Sequence, residues 1–382
     1  MTFLVVAAAG VLVVVFIHLL AGWILSNGLH RGALAIRPRA RDLTVRVREV
    51  SGSRIVLEAP APRQDIGHPG TLGLAWDGGN GRLGEVLAVD SMRVTRVFDQ
   101  RVGTPPTCPD ALADCHPVEI DPYVFADPSE VGLVYETDSY DAPLGAMPAW
   151  LVPGPRSDRW AVLCHGWTAE KRELIRMLPA FHHSGYTTLV IDYRNDPGVP
   201  RDPTGRYRFG LSEWEDLEAA VALASDRGAR RLVLGGCSTG GALVMAFLER
   251  SPLVDQVEGV VLDAPNVMLA EAVRHGTRDR RFTPLMFEFG LWMADLRWKI
   301  DWEATNYVGR AEQILTMPTL VFHGTSDAAI PISVSRQLAA RARETVELVE
   351  TPAAGHVMSW NADPERYEGY LGRFLSRLRQ GT

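Results

Sequence analysis

The chain has 382 residues, 46% of them hydrophobic and 22% charged, which suits two domains or one large domain with additions. Its formal net charge of −7 gives no general attraction to nucleic acid, so a nucleic-acid role is excluded.

The first segment stands apart. From Phe3 to Leu25 the run FLVVAAAGVLVVVFIHLLAGWIL has no formal charge beyond what His18 holds. About 20 apolar residues cross a bilayer as a helix, which predicts a transmembrane helix over 3–25. A cleaved signal peptide would want a basic start, a shorter apolar core and a small-x-small cleavage site. The start MTF has no basic side chain and no Ala-x-Ala follows the run, so it reads as a retained anchor, with His18 as a helix-packing or snorkelling residue. Arg31, Arg37, Arg39, Arg41, Arg46 and Arg48 follow the span, and the positive-inside rule then leans the remaining chain toward the cytoplasm. Cys108 and Cys115, in the loop TPPTCPDALADCHP, point the other way, because a small disulfide loop fits an oxidising compartment. The two signals oppose each other, and the side of the membrane stays open. Cys164 and Cys237 sit in or beside apolar strands and read as buried thiols; no Cys/His spacing resembles a zinc site.

Residues 42–123 carry short β patterns: TVRVREV, RIVLEA, TLGLAW, GEVLAV and MRVTRVF, with the turn-forming cluster WDGGNGRLG over 76–84 between two of them. They predict a small β domain, a compact barrel or sandwich, with a structural or substrate-restricting role. The segment IDPYVFADPSEVG links it to a second unit over 133–380. There, LVYETDSY and MPAWLVPG form a hairpin, and apolar strands then alternate with helical segments, which predicts a mostly parallel sheet covered by helices on both faces. The last helix carries Tyr367, Tyr370, Leu371, Phe374, Leu375 and Leu378 at helical spacing, a core-facing stripe. An insertion over about 267–316 interrupts the alternation as a cap. Its apolar load, from Phe287 to Trp302, packs on the core or lines a pocket for an apolar acyl chain.

In such a sheet, ligands sit beyond the carboxyl ends of the strands. After the strand RLVLG comes Gly236-Cys237-Ser238-Thr239-Gly240, a G-x-S-x-G pattern between a strand and a helix. Such a turn holds a serine in a strained backbone and exposes its hydroxyl. A serine needs a base, and a base needs an acid to orient it. His356, after the last strand, supplies the first, and Asp327, after LVFHG, supplies the second. Asp263, at the end of VVLDAP, is the alternative acid. The strand AVLC ends on His165-Gly166-Trp167, so the backbone N–H groups of Trp167 and Thr239 form the expected oxyanion hole. His165 reads as a loop-organising residue and Asp192 as structural; His182, His183 and His323 read as structural or surface residues.

The motifs H-G-W at 165–167, D-Y-R at 192–194, G-C-S-T-G-G at 236–241, L-D-A-P at 262–265, H-G-T-S-D at 323–327 and G-H at 355–356 resemble the α/β-hydrolases over 133–378, in particular bacterial serine hydrolases of the esterase, lipase and dipeptidyl-peptidase-like branches. A serine nucleophile argues against the dehalogenase, epoxide hydrolase and dienelactone hydrolase branches. The resemblance implies the α/β-hydrolase fold and a Ser-His-Asp hydrolase acting on a small-molecule ester, with no cofactor or metal. A thioesterase or an aminopeptidase-like hydrolase would use the same residues, and a non-catalytic membrane-tethered binding module is the reading from another class.

Overall fold

A computed structural model describes residues 2–36, 43–59, 64–90, 92–108, 118–280 and 282–380, with side chains from Ala9 onward. Arg37, Arg39, Arg41 and Cys115 lie outside the described residues. The apolar run forms one helix, α1 (Thr2–Leu29), which continues into a wider turn over His30–Leu34. The helix thus runs four residues past the expected end of the span. It is long and apolar enough to cross a bilayer, with the candidate span Ala9–Leu34 at a mean hydropathy of 2.3.

Among the described residues six strands follow: β1 (Thr44–Ser51), β2 (Arg54–Glu58), β3 (Leu72–Trp76), β4 (Gly79–Val89), β5 (Arg93–Val102) and β6 (Val118–Asp121). They close in the order β1-β2-β5-β4-β3-β6, a barrel and not a sandwich, with β6 pairing back to β1. Alternate residues such as Val47, Ile55, Leu57, Leu74, Leu83 and Phe98 fill its interior. The turn cluster over 76–84 is shorter than its composition suggests. Trp76 pairs with Gly79, so only Asp77 and Gly78 turn, and Gly79 and Gly81 belong to β4. Those glycines serve packing: a Cβ on Gly79 would overlap the Trp76 ring, and one on Gly81 the Phe98 ring. Cys108 is disulfide-bonded, whereas Cys164 and Cys237 are free and buried.

The second unit has eight strands: β7 (Glu136–Ala142), β8 (Gly145–Val152), β9 (Arg159–Cys164), β10 (Thr187–Ile191), β11 (Arg231–Cys237), β12 (Val257–Asp263), β13 (Thr319–Gly324) and β14 (Val346–Thr351). Their order is β14-β13-β12-β11-β9-β10-β8-β7. β7 pairs β8 and β8 pairs β10 antiparallel, and the six strands β9 to β14 run parallel to one another. Buried apolar side chains cover both faces of this sheet, as near-continuous apolar strands require. The helices are α2 (Leu178–His183), α3 (Trp214–Asp226), α4 (Thr239–Arg250), α5 (Leu269–Gly276), α6 (Pro284–Trp298), α7 (Ala311–Ile314), α8 (Ile332–Arg341), α9 (Ser359–Ala362) and α10 (Pro364–Gln380). On α10, Tyr367, Leu371, Phe374, Leu375 and Leu378 are buried as a stripe.

The insertion between β12 and β13 holds α5, α6 and α7, and its aromatic load does something the sequence did not suggest. It grips α1. Leu25 packs with Phe287 and Leu291, and a Cβ on Gly290 would overlap the Leu25 side chain. His30 stacks on Trp298 at 4.1 Å, and the Trp298 indole donates to the Ser26 hydroxyl at 3.0 Å. The barrel docks elsewhere, on α9. Thr71 N–H donates to the Asn361 carbonyl at 2.7 Å, and the Asn361 amide donates to the carbonyls of Thr71 and Pro122 at 2.8 Å each.

Candidate active site

β11 ends and α4 begins within one residue. Ser238 takes that corner with φ 50 and ψ −113, a backbone region that residues with a Cβ rarely adopt and that stores strain. Close approach explains the flanking glycines: a Cβ on Gly240 would overlap the Cys164 carbonyl, and one on Gly236 would overlap Gly240 itself. The Ser238 N–H donates to the Asp263 carbonyl at 2.9 Å, which pins the corner to β12.

His356, on the loop after β14, reaches the corner. Its Nε2 lies 2.9 Å from Ser238 Oγ and its Nδ1 lies 2.7 Å from Asp327 Oδ2. An ionised carboxylate only accepts, so Nδ1 carries the ring proton and the Nε2 lone pair accepts from the serine hydroxyl. Asp327 follows β13. Its Oδ1 accepts the N–H groups of Ala329 and Ile330 at 2.8 Å each, and its Oδ2 also faces His323 Nε2 at 3.3 Å. Burial pushes the Asp327 carboxyl up, but hydrogen bonds from His323 and His356 outweigh it and hold the group well below the usual range. Burial pulls the His356 imidazole down, and the hydrogen bond and charge of Asp327 more than reverse that, so its pKa is raised. The structure therefore brings Ser238, His356 and Asp327 into one hydrogen-bonded row. Asp263 stays out of it: its Oδ2 accepts from the Tyr367 hydroxyl at 3.2 Å, its Oδ1 has no partner among the described residues, and burial raises its pKa to about 6.

The loop after β9 stands beside the serine. Gly166 lets the loop pass close to the nucleophile: a Cβ there would approach the Ser238 Cβ to 3.1 Å. The Gly166 N–H is already given to Glu173 at 2.7 Å. The N–H groups of Trp167 and Thr239 have no acceptor among the described residues, and both residues line a cavity that also contains Ser238 and His356. His165 anchors this loop from below. Its Nδ1 faces the Gly166 carbonyl at 2.8 Å and its Nε2 faces Asp196 at 2.9 Å. Both ring nitrogens meet acceptors, so the ring is an imidazolium. Burial opposes that charge, but Asp196 and Asp192 overcome it and raise the pKa to about 9. His165, Asp192 and Asp196 hold ligand-type atoms within 4.8 Å of one another. The group does not fit a metal ion, because a doubly protonated imidazole has no lone pair to give and Lys171 occupies Asp192.

Two cavities meet at Ser238. The larger, about 470 Å³, is lined mainly by apolar and small residues of α1, α5 and the turn after α1. The smaller, about 190 Å³, lies between the Gly166–Ala169 loop, Glu173, Arg176 and the barrel-side residues Pro122 and Tyr123. A larger surface cleft of about 790 Å³, between α2 and α10, contains none of these groups. Sequence reasoning missed Glu173 and His323 as supports and α1 as a cavity wall. The i,i+4 spacing of His323 and Asp327 was the available signal for the second; Glu173 left none.

A family model described as the Alpha/beta hydrolase family matches residues 161–369, more than half of the chain. The chain belongs to that family. A second model, described as a domain of unknown function, matches residues 46–110 of the barrel. The α/β-hydrolase is 27% identical over 215 residues to an uncharacterized protein of Mycobacterium tuberculosis (strain H37Rv); the match spans 54% of this chain and 64%, just under two thirds, of that relative. It is 22% identical over 225 residues to the uncharacterized protein YqkD of Bacillus subtilis, covering 58% of this chain and 72% of YqkD. Among solved structures it resembles the Pyrococcus furiosus esterase Pf2001, with a TM-score of 0.52 at 20% identity over 66% of this chain and 96% of that one. It also resembles Est1E of Butyrivibrio proteoclasticus, with a TM-score of 0.50 at 16% identity over 64% and 99% of the two chains. At these identities the structural likeness establishes the fold of the α/β-hydrolase unit.

Proposed function

We propose that the protein is a membrane-anchored serine hydrolase that cleaves carboxylic esters through an acyl-enzyme on Ser238. The observation that carries this is the row Ser238–His356–Asp327 at 2.9 and 2.7 Å, with the serine on a strained corner at the junction of two cavities. His356 Nε2 takes the hydroxyl proton as Ser238 Oγ attacks the ester carbonyl. The N–H groups of Trp167 and Thr239 hold the oxyanion; losing one such donor typically costs about 2.7–4 kcal/mol of barrier. The C–O bond breaks and His356 gives its proton to the leaving alcohol. Water then repeats the sequence and releases the acid. Asp327, kept ionised by its four hydrogen-bond partners, stabilises the imidazolium in both steps. The apolar cavity suits the acyl group and the smaller one, toward the barrel, the alcohol. The exposed apolar stretch of α1 supports the anchor.

A fluorophosphonate probe tests the nucleophile. Peptide mapping of the labelled, folded protein is expected to place the adduct on Ser238. Folded protein that takes no label, or takes it elsewhere, contradicts the reading and favours a binding module.

A further inference from the structure

An anchor that only tethers has no reason to touch the reaction chamber. Here α1 is part of its wall. Leu25, Gly28 and Leu29 of α1, and Gly32 of the wider turn that continues it, line the 470 Å³ cavity that contains Ser238 and His356. The i, i+3, i+4 spacing of the first three puts them on one face of the helix. Across the cavity, Ala272 and Gly276 of α5 are similarly small. The glycines leave room: among the described residues, a Cβ on Gly32 would meet nothing within 4 Å, and one on Gly28 only the Arg280 guanidinium at 3.8 Å. The result is an apolar groove about 10 Å long along α1, at 1.5 Å per residue.

The same helix continues without a break into its exposed apolar part. Leu12 and Phe16 are 69% and 65% exposed. The exposed Leu20 stands about one and a half turns before the lining residue Leu25. Beside it, α6 exposes Leu285, Trp292 and Leu296, which the 100° helical step places on one face. Exposed apolar surface of this extent marks contact with a membrane or a partner, and the length and hydropathy of α1 select the membrane. An acyl chain leaving the bilayer along α1 would move from one apolar surface to the next without crossing water.

We infer that the substrate is a long-chain acyl ester drawn from the bilayer, and that α1 forms one wall of its acyl groove. The inference rests on the esterase reading. The chain lies between α1 and α5 with its carbonyl at Ser238; hydrolysis breaks the acyl C–O bond, with water supplying hydroxyl to the acid and a proton to the alcohol.

The test uses the full chain in phosphatidylcholine vesicles, with p-nitrophenyl acetate and p-nitrophenyl decanoate as probes. Burying a methylene is worth up to about fourfold in kcat/KM, so the wild type is expected to prefer decanoate strongly. Gly28→Leu and Gly32→Leu fill the groove and are expected to lower the decanoate-to-acetate ratio at least tenfold. Gly10→Leu, on α1, outside the cavity and with none of the described residues within 4 Å of a Cβ there, is expected to keep the ratio. An unchanged ratio in both groove variants, or an equal fall on both esters, overturns the inference. A second readout does not need turnover: a diazirine-bearing palmitate in the vesicles is expected to crosslink to the 25–33 segment of the Ser238→Ala variant, and its absence there overturns the groove. Failure of the esterase reading itself shows differently, as wild-type protein that hydrolyses neither ester and takes no fluorophosphonate.

Discussion

At Asp327, burial and hydrogen bonding pull in opposite directions, and the hydrogen bonds win. The consequence passes to His356, whose raised pKa sets when it can accept a proton. Only the neutral ring is a base, so kcat/KM is expected to rise with pH through a midpoint above the ordinary histidine value of about 6.5 and then level off. Asp327→Asn removes the carboxylate, so a pH–rate series should show a lower midpoint together with a loss on the order of 10⁴-fold in kcat. Asp263→Asn is expected to cost less than about tenfold, because Asp263 bonds to the Tyr367 hydroxyl and touches no ring nitrogen of His356. A large loss from Asp263→Asn alone would move the acid to β12. His165 makes a separate prediction about stability. Its folded pKa of about 9 stands above the unfolded value of about 6.5. Its contribution is therefore complete below about pH 6.5 and is lost as pH rises through about 9. Melting temperatures measured across that window should fall in the wild type and fall less in His165→Asn.

Among the elements, the β11–α4 corner was the most legible, because the Gly-x-Ser-x-Gly spacing states a local steric requirement that the Gly236 and Gly240 contacts satisfy. The order of Ser238, Asp327 and His356 was readable too, since each follows an apolar strand. Contacts between distant segments were not. Glu173 holds the Gly166 N–H from a segment whose sequence resembles any polar turn. The aromatic residues of α6 read equally well as core, lid or pocket, and only the structure shows them clamping α1. Apolar residues facing lipid and apolar residues facing a cavity have one composition, so the wall formed by α1 could not be read. The clamp is testable. Leu25→Ala removes a buried side chain between Phe287 and Leu291 and is expected to cost about 2–5 kcal/mol in denaturant unfolding. A change under about 0.5 kcal/mol would show that α1 and α6 are not joined.

In the whole molecule, the α/β-hydrolase unit is held from two sides near its candidate site. The barrel bonds to α9, a few residues beyond His356, through Asn361, while Arg176 donates to the Asn361 side chain from within. The other side is α1, with its exposed apolar length. Full-length protein is expected to float with phosphatidylcholine vesicles and to stay with them through an alkaline carbonate wash; full release by the wash would contradict the anchor. The claim on which the rest depends is that Ser238 is the nucleophile of an ester hydrolase. The most direct measurement compares purified wild-type and Ser238→Ala protein on p-nitrophenyl butyrate. The expected result is turnover by the wild type and a loss on the order of 10⁵-fold or more in the folded variant; equal rates in the two proteins would contradict it.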